Sequence, residues 1–143
     1  MPYKFLDTIA TADAAFEAEG KNLNEVFEQC ALALFSIVVD LKGVKPKKKV
    51  MIKKESGDME KLLFEFLNEL VYIKDTDNIV FSKFKVNIKQ DKKQFYHLEA
   101  ELKGEDINRK KHKLGHDIKA ITMHMFSLEK KPEGYGAMVI VDL

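Results

Sequence analysis

Residues 5–20, FLDTIATADAAFEAEG, decide how the chain is read. Thr11-Ala12-Asp13 interrupts a mildly apolar run, and the next residues set Ala14, Phe16 and Ala18 against Ala15, Glu17 and Glu19. One apolar side and one acidic side are what a half-buried strand requires. Asp13 therefore stands where a strand begins. Thr and Asp at a strand entrance are commonly turn formers whose side chains bond nearby amides. An acid in that place is also a ligand or contact position. Residues 1–6 read as a short extended segment ahead of the turn.

Working outward, Gly20 breaks the strand, and Asn22 with Glu25 three residues later forms a capping box that opens a helix. Leu23, Val26, Phe27, Cys30, Leu34, Ile37, Val38 and Leu41 follow at spacings of three and four, the stripe of an amphipathic helix. Gly43 and Pro46 end it near residues 40–43, and residues 45–49, KPKKK, form a basic turn. Such a cluster suits nucleic acid, but a solvated loop that protects a strand edge is the commoner role. Residues 50–55 read as a strand and Asp58 as the N-cap of a second helix, with Leu62, Leu63, Phe66, Leu67, Leu70 and Val71 as its buried stripe.

Residues 79–89 alternate, with Phe84, Val86 and Ile88 opposed to Lys83, Lys85, Asn87 and Lys89. Past a turn at Asp91-Lys92-Lys93, Tyr96, Leu98, Ala100 and Leu102 alternate with Phe95, His97, Glu99 and Glu101, which predicts a β-hairpin with a lysine row beside a glutamate row. Residues 104–117 form a polar connection carrying Arg109, Lys110, Lys111 and Lys113 and two histidines, His112 and His116. With no acidic base between them and no cysteine nearby, that pair is a poor zinc motif. Residues 118–128, apolar on both faces, read as a central strand that buries His124 in the core or a pocket lining. After a turn at 132–136, residues 137–143 form the last strand, where Asp142 shares a face with Met138 and Ile140. An acid in that register is expensive unless it lies at an edge, meets a cation or is solvated.

The chain of 143 residues fits one domain, 1–143, and its order of elements predicts an α+β fold: a mixed, largely antiparallel sheet of about six strands with two amphipathic helices packed on one face. Charged residues make up 33% yet nearly cancel to +1, so no global field draws the chain to nucleic acid. The lone cysteine, Cys30, reads as a small buried hydrophobe. Neither a leader peptide nor a membrane-spanning run is visible, and a soluble cytoplasmic protein is expected. Glycine-rich phosphate loops, nucleophile elbows and clustered metal-ligand spacings are all missing. What remains is Asp13 near one end, Asp142 at the other and the carboxylate of Leu143. If the first and last strands meet, these supply hard oxygen ligands for calcium, magnesium or manganese.

Several segments together resemble the archease family. The family's His-Thr-Ala-Asp motif stands here as Ala10-Thr11-Ala12-Asp13, followed by the matching strand and Gly20. Leu23-Asn24-Glu25-Val26-Phe27, Ala31-Leu32-Ala33-Leu34-Phe35, Val80-Phe81-Ser82 with Phe84, and Gly104-Glu105 continue the likeness. His112, Lys119-Ala120 with Thr122 and His124, and the closing Ile140-Val141-Asp142-Leu143 complete it. The resemblance implies a protein cofactor and not an enzyme: its partner is the GTP-dependent RtcB-type RNA-splicing ligase, whose guanylylation and turnover it promotes. That ligase joins RNA 2′,3′-cyclic-phosphate or 3′-phosphate ends to a 5′-hydroxyl after its own histidine accepts GMP on manganese. The resemblance also implies a divalent metal held by Asp13, Asp142 and Leu143, with the two acids at the partner contact and RNA reached only through the ligase. Ala10 replaces the family histidine and leaves that residue's contribution open. Two rival functions are a metal-dependent hydrolase or phosphotransferase built on the same acids, and a general chaperone for nucleic-acid-modifying enzymes.

Overall fold

The computed structural model describes residues 2–6 and 13–143, so Ala10, Thr11 and Ala12 of the motif lie outside the described residues. The helix starts follow the capping chemistry of the sequence. Asn22 accepts the Glu25 N–H at 2.9 Å and opens α1 (Leu23–Val38), and Asp58 accepts the Glu60 N–H at 3.3 Å and opens α2 (Met59–Asp77). α2 ends on Asn78, whose left-handed backbone (φ 53°) suits a short polar side chain.

Around the helices lie β1 (Tyr3–Leu6), β2 (Asp13–Gly20), β3 (Lys48–Ser56), β4 (Ile79–Gln90), β5 (Tyr96–Asp106), β6 (Ala120–Ile121), β7 (Ser127–Lys131) and β8 (Gly134–Asp142). The α+β class and the two helices stand as expected. The strands, eight among the described residues, divide between two wholly antiparallel sheets where one of about six was expected. One sheet has the order β1-β2-β8-β6, with β7 pairing β8 beyond β6, and the other the order β3-β5-β4. The helices do not sit on one face of one sheet. α1 touches β2 and β8 of the first sheet and β4 of the second, while α2 touches β3, β4 and β5 as well as β6 and β7.

The expected hairpin is β4–β5, in register from Ile79↔Asp106 to Gln90↔Tyr96 with one bulge at Phe81/Lys83. Gly104 faces that bulge, where any Cβ would collide with the Val80 carbonyl. Lys85 lies opposite Glu101 as the charge rows require, although Lys83 lies opposite Lys103. Residues 118–128 depart from expectation. Only Ala120–Ile121 and Ser127–Lys131 pair with β8, and between them the chain loops out and leaves His124 exposed.

The core is aromatic where the layers meet: Phe35 stands edge-on to Phe81 at 5.6 Å, and Phe27 packs on Phe66 at 5.7 Å. Each such side chain, fully buried, contributes roughly 2–3 kcal/mol. Cys30 lies among them, and burial pushes its thiol well above the ordinary thiol range. Among the described residues no helix is long and apolar enough to cross a membrane.

Candidate functional site

Antiparallel pairing of the second and last long strands places Asp13 directly opposite Asp142. Residues in that relation point to the same side of a sheet, with Cβ atoms roughly 4.5–5.5 Å apart. The two acids that sequence could name but not bring together therefore form one cross-strand pair, each half-buried. Asp142 is not on a sheet edge, since β8 is flanked there by β2 and by β6, where Ala120 is its partner. Its carbonyl oxygen accepts the Lys119 N–H at 2.8 Å, so the backbone on both sides is engaged.

The next rung towards the middle of that face is apolar. Ala15 and Ile140 are partners and only 5% and 8% exposed, and Glu17 with Met138 follows. Two like charges in direct cross-strand opposition disfavour folding. A divalent cation between the carboxylates would reverse the sign of this term. The donor chemistry fits calcium, magnesium or manganese, with two carboxylates and the main-chain oxygen of the adjoining Leu143 as hard ligands and water completing the shell. The Leu143 side chain packs against the core and holds that end of β8 in place. Among the described residues no group of three or more acidic, histidine or cysteine side chains could hold a metal, so no third such side chain joins the pair.

A loop borders this pair. Thr122 donates to the Ile140 carbonyl through both its N–H at 3.0 Å and its hydroxyl at 3.2 Å, which pins the loop one rung from the acids. Met123 and Met125 beyond it are 66% and 56% exposed, and Met125 holds the left-handed conformation with φ 54°. Phe126 anchors the far side, edge-on to Phe64 at 5.3 Å.

A second polar centre went unnoticed in the sequence. Glu105, at the end of β5, is buried and gathers two distant basic segments. Its Oε2 accepts the Lys45 N–H at 2.7 Å, and its Oε1 meets the Lys111 ammonium at 2.7 Å and that of Lys47 at 3.9 Å. His112, also buried, completes the arrangement. The Asn108 N–H donates to its Nδ1 at 2.9 Å, so the ring proton sits on Nε2 and points to Glu105 Oε2 at 3.0 Å. The Lys111 ammonium, then the Lys45 amide and the His112 ring, hold the Glu105 carboxyl down to about 2. His112 is thus a structural partner, and His116, exposed, sits apart with its N–H on the Ile37 carbonyl at 2.8 Å. An acid closing a strand just before a lysine-rich loop was the available signal for Glu105.

The connection between β5 and β6 joins the two centres. The Ile107 N–H bonds the Asn78 carbonyl at 2.8 Å, and Asp117 pairs with the buried Lys74 of α2 at 2.7 Å. Burial draws the Lys74 ammonium down, but the hydrogen bonds it donates to Asp117 and Asp75 outweigh it and raise the group overall.

Comparison with known proteins bears on the family and the fold. Residues 3–143 match the model of the Archease protein family (MTH1598/TM1083). Protein archease of Pyrococcus furiosus is 38% identical over 134 residues, covering 93% of this chain and 94% of its own. The solution structure of Methanobacterium thermoautotrophicum protein 1598 superposes with a TM-score of 0.87 at 39% identity, covering 99% of each chain. The crystal structure of a Thermotoga maritima archease, titled a possible chaperone, shares the fold with a TM-score of 0.62 at 18% identity over 96% of each chain. The chain belongs to the archease family.

Proposed function

We propose that this protein is a non-enzymatic activator of a GTP-dependent RNA ligase, acting through a divalent cation held by Asp13, Asp142 and the Leu143 main chain. The observation that carries the reading is the direct opposition of Asp13 and Asp142 at the end of the first sheet. Carboxylates set against each other cost stability, and a protein keeps such an arrangement where the charge has work to do. Neither cysteine nor histidine shares the rung: Cys30 is buried in the core, and Ala120 is the third residue across. A nucleophile or general base beside the acids is what a hydrolase would need.

On this reading the acidic rung and the methionine loop beside it meet the ligase near its nucleotide, in the cytoplasm. The cation would supply positive charge at the contact; the carboxylates orient it, and Leu143 fixes the strand end that carries Asp142. Activation follows only if the protein binds the GTP-competent ligase better than the stalled one: a tenfold preference shifts that equilibrium by about 1.4 kcal/mol. The exposed Met123 and Met125, together with the words used of the Thermotoga maritima relative, keep a general chaperone as the second reading.

The test is guanylylation of the ligase by GTP and manganese with no RNA present, with wild-type protein and with Asp13→Asn. Wild type raises the rate and extent of ligase–GMP formation, and Asp13→Asn, which keeps the shape, does not. Equal stimulation by both proteins removes the acidic site from the mechanism. Suppression of aggregation in unrelated enzymes without any effect on the ligase selects the chaperone.

A further inference from the structure

Glu105 brings together two basic segments that lie about sixty positions apart in the chain, and between them opens a cleft of about 590 Å³. Five cations line it: Lys47, Lys48, Arg109, Lys110 and Lys111. Two acids line it as well. Glu105 is occupied by Lys111 and Lys47, and Asp106 by Lys48 at 2.8 Å. That leaves a local excess of about three positive charges in a chain whose total is +1. Arg109 and Lys110 make no ion pair among the described residues and are exposed. Like charges are held side by side here by one buried carboxylate.

The lining also says what the cleft suits. It contains no aromatic side chain, so bases find no stacking platform, and Ile107 is its single large apolar residue. Protein partners usually need buried aromatic or aliphatic anchors, which the cleft lacks. Guanidinium and ammonium groups without such anchors match a phosphodiester backbone.

Its place in the fold fits the same ligand. Ile107 on the lining is tied to the last turn of α2 through Asn78, and the chain continues past Asp117, bound to Lys74 one turn earlier, to Lys119, whose N–H bonds the Asp142 carbonyl. From Lys111 to Lys119 the chain spans at most about 28 Å when fully extended. The segment leaving the cleft thus runs past the last turns of α2 to the strand that carries Asp142.

We infer that this cleft binds the phosphate backbone of a single-stranded RNA, with Arg109 and Lys110 as the principal contacts and no preference for base sequence. The choice of RNA rests on the ligase reading above, and the cleft would then take the strand that the ligase is joining. The test uses the isolated protein and no ligase, whereas the guanylylation assay uses no RNA, so either idea can fail alone. Fluorescence anisotropy of a labelled 20-nucleotide RNA of mixed sequence is followed at 50 and 200 mM potassium chloride. Three neutralised phosphates give a logarithmic slope near −2, so binding weakens roughly 15- to 20-fold between those salts. Arg109→Ala with Lys110→Ala weakens binding at least tenfold at 50 mM. Lys92→Ala with Lys93→Ala removes the same charge from the turn at the far end of β4–β5 and leaves affinity within about twofold. Equal losses from both double variants, no binding at millimolar protein, or tighter binding of poly-glutamate than of RNA at matched length and salt would each overturn the proposal, the last by making an acidic protein segment the occupant.

Discussion

At Asp13 the proposed cation site and the stability of the fold meet in a single side chain. Because its carboxylate faces that of Asp142, Asp13→Asn removes a repulsion and leaves the fold intact. Without divalent metal the variant is expected to unfold about 1 kcal/mol later than wild type, a rise of roughly 2–6 °C in Tm for a chain of this size. With calcium or manganese the order reverses, since only wild type gains stability from a bound cation. Thermal melts of both proteins with chelator and with millimolar metal check this, and a wild-type melt indifferent to metal would remove the cation. Glu105 gives the second residue-scale expectation. Its folded value near 2 lies below the ordinary 4.5, so its contribution is complete above 4.5 and is lost as pH falls from there towards 2. Urea midpoints of wild type and Glu105→Gln should differ most near neutrality and converge as the pH approaches 2. A difference independent of pH would show that the carboxylate's charge is not what clips the two basic segments.

Among the elements, β4 shows how an edge strand is kept from pairing with other chains. It is one of the two outer strands of its sheet, and two side chains one turn apart on α1 accept its free amides: Asn24 takes the Ile88 N–H and Glu28 the Val86 N–H, each at 2.8 Å. Alternate strand residues are spaced much as successive helix turns, which lets one helix face serve both amides. Burial raises the Glu28 carboxyl despite the Val86 amide, so its charge is a burden while its oxygen is useful. Glu28→Gln should therefore be neutral or slightly stabilising at pH 7, and Glu28→Ala should cost about 1 kcal/mol. Faster hydrogen exchange at Val86 in the alanine variant alone is the readout. Equal exchange in both variants would detach the amide from this side chain.

The element scale also shows what could be read in advance. N-cap residues, apolar stripes and alternation located both helices and the long hairpin, because those signals act within a few residues. The stretch 118–128 misled, since apolar residues on both faces look like a buried strand. Nothing local says that Met123 and Met125 point outward or that Met125 turns left-handed.

Across the whole molecule, pairing is the information that periodicity lacks. Alternation in β2 and β8 gave each strand a core face, yet their meeting, and with it the carboxylate pair, is a contact between opposite ends of the chain. The division into two sheets and the joining of the two basic segments by Glu105 are non-local in the same way. Because both helices touch both sheets, neither sheet has a core of its own. Unfolding should be one cooperative transition, with exchange of the Phe16 and Leu98 amides reporting the same free energy within about 0.5 kcal/mol. A sheet that opens first would show as a lower value on one side.

The outward-facing methionines lend themselves to chemical footprinting. Thioethers in the open take up oxygen from dilute peroxide before sheltered ones, and of the six in this chain Met51 on β3 is 54% exposed, comparable with Met123 and Met125. If the loop beside the acids seats a partner, sulfoxide formation at 123 and 125 slows in the complex while Met51, on the other sheet, keeps its rate as an internal clock. Peroxide treatment beforehand makes those two side chains polar and would loosen the same complex, so mass spectrometry of a mixed population would report the contact without any substitution in the chain.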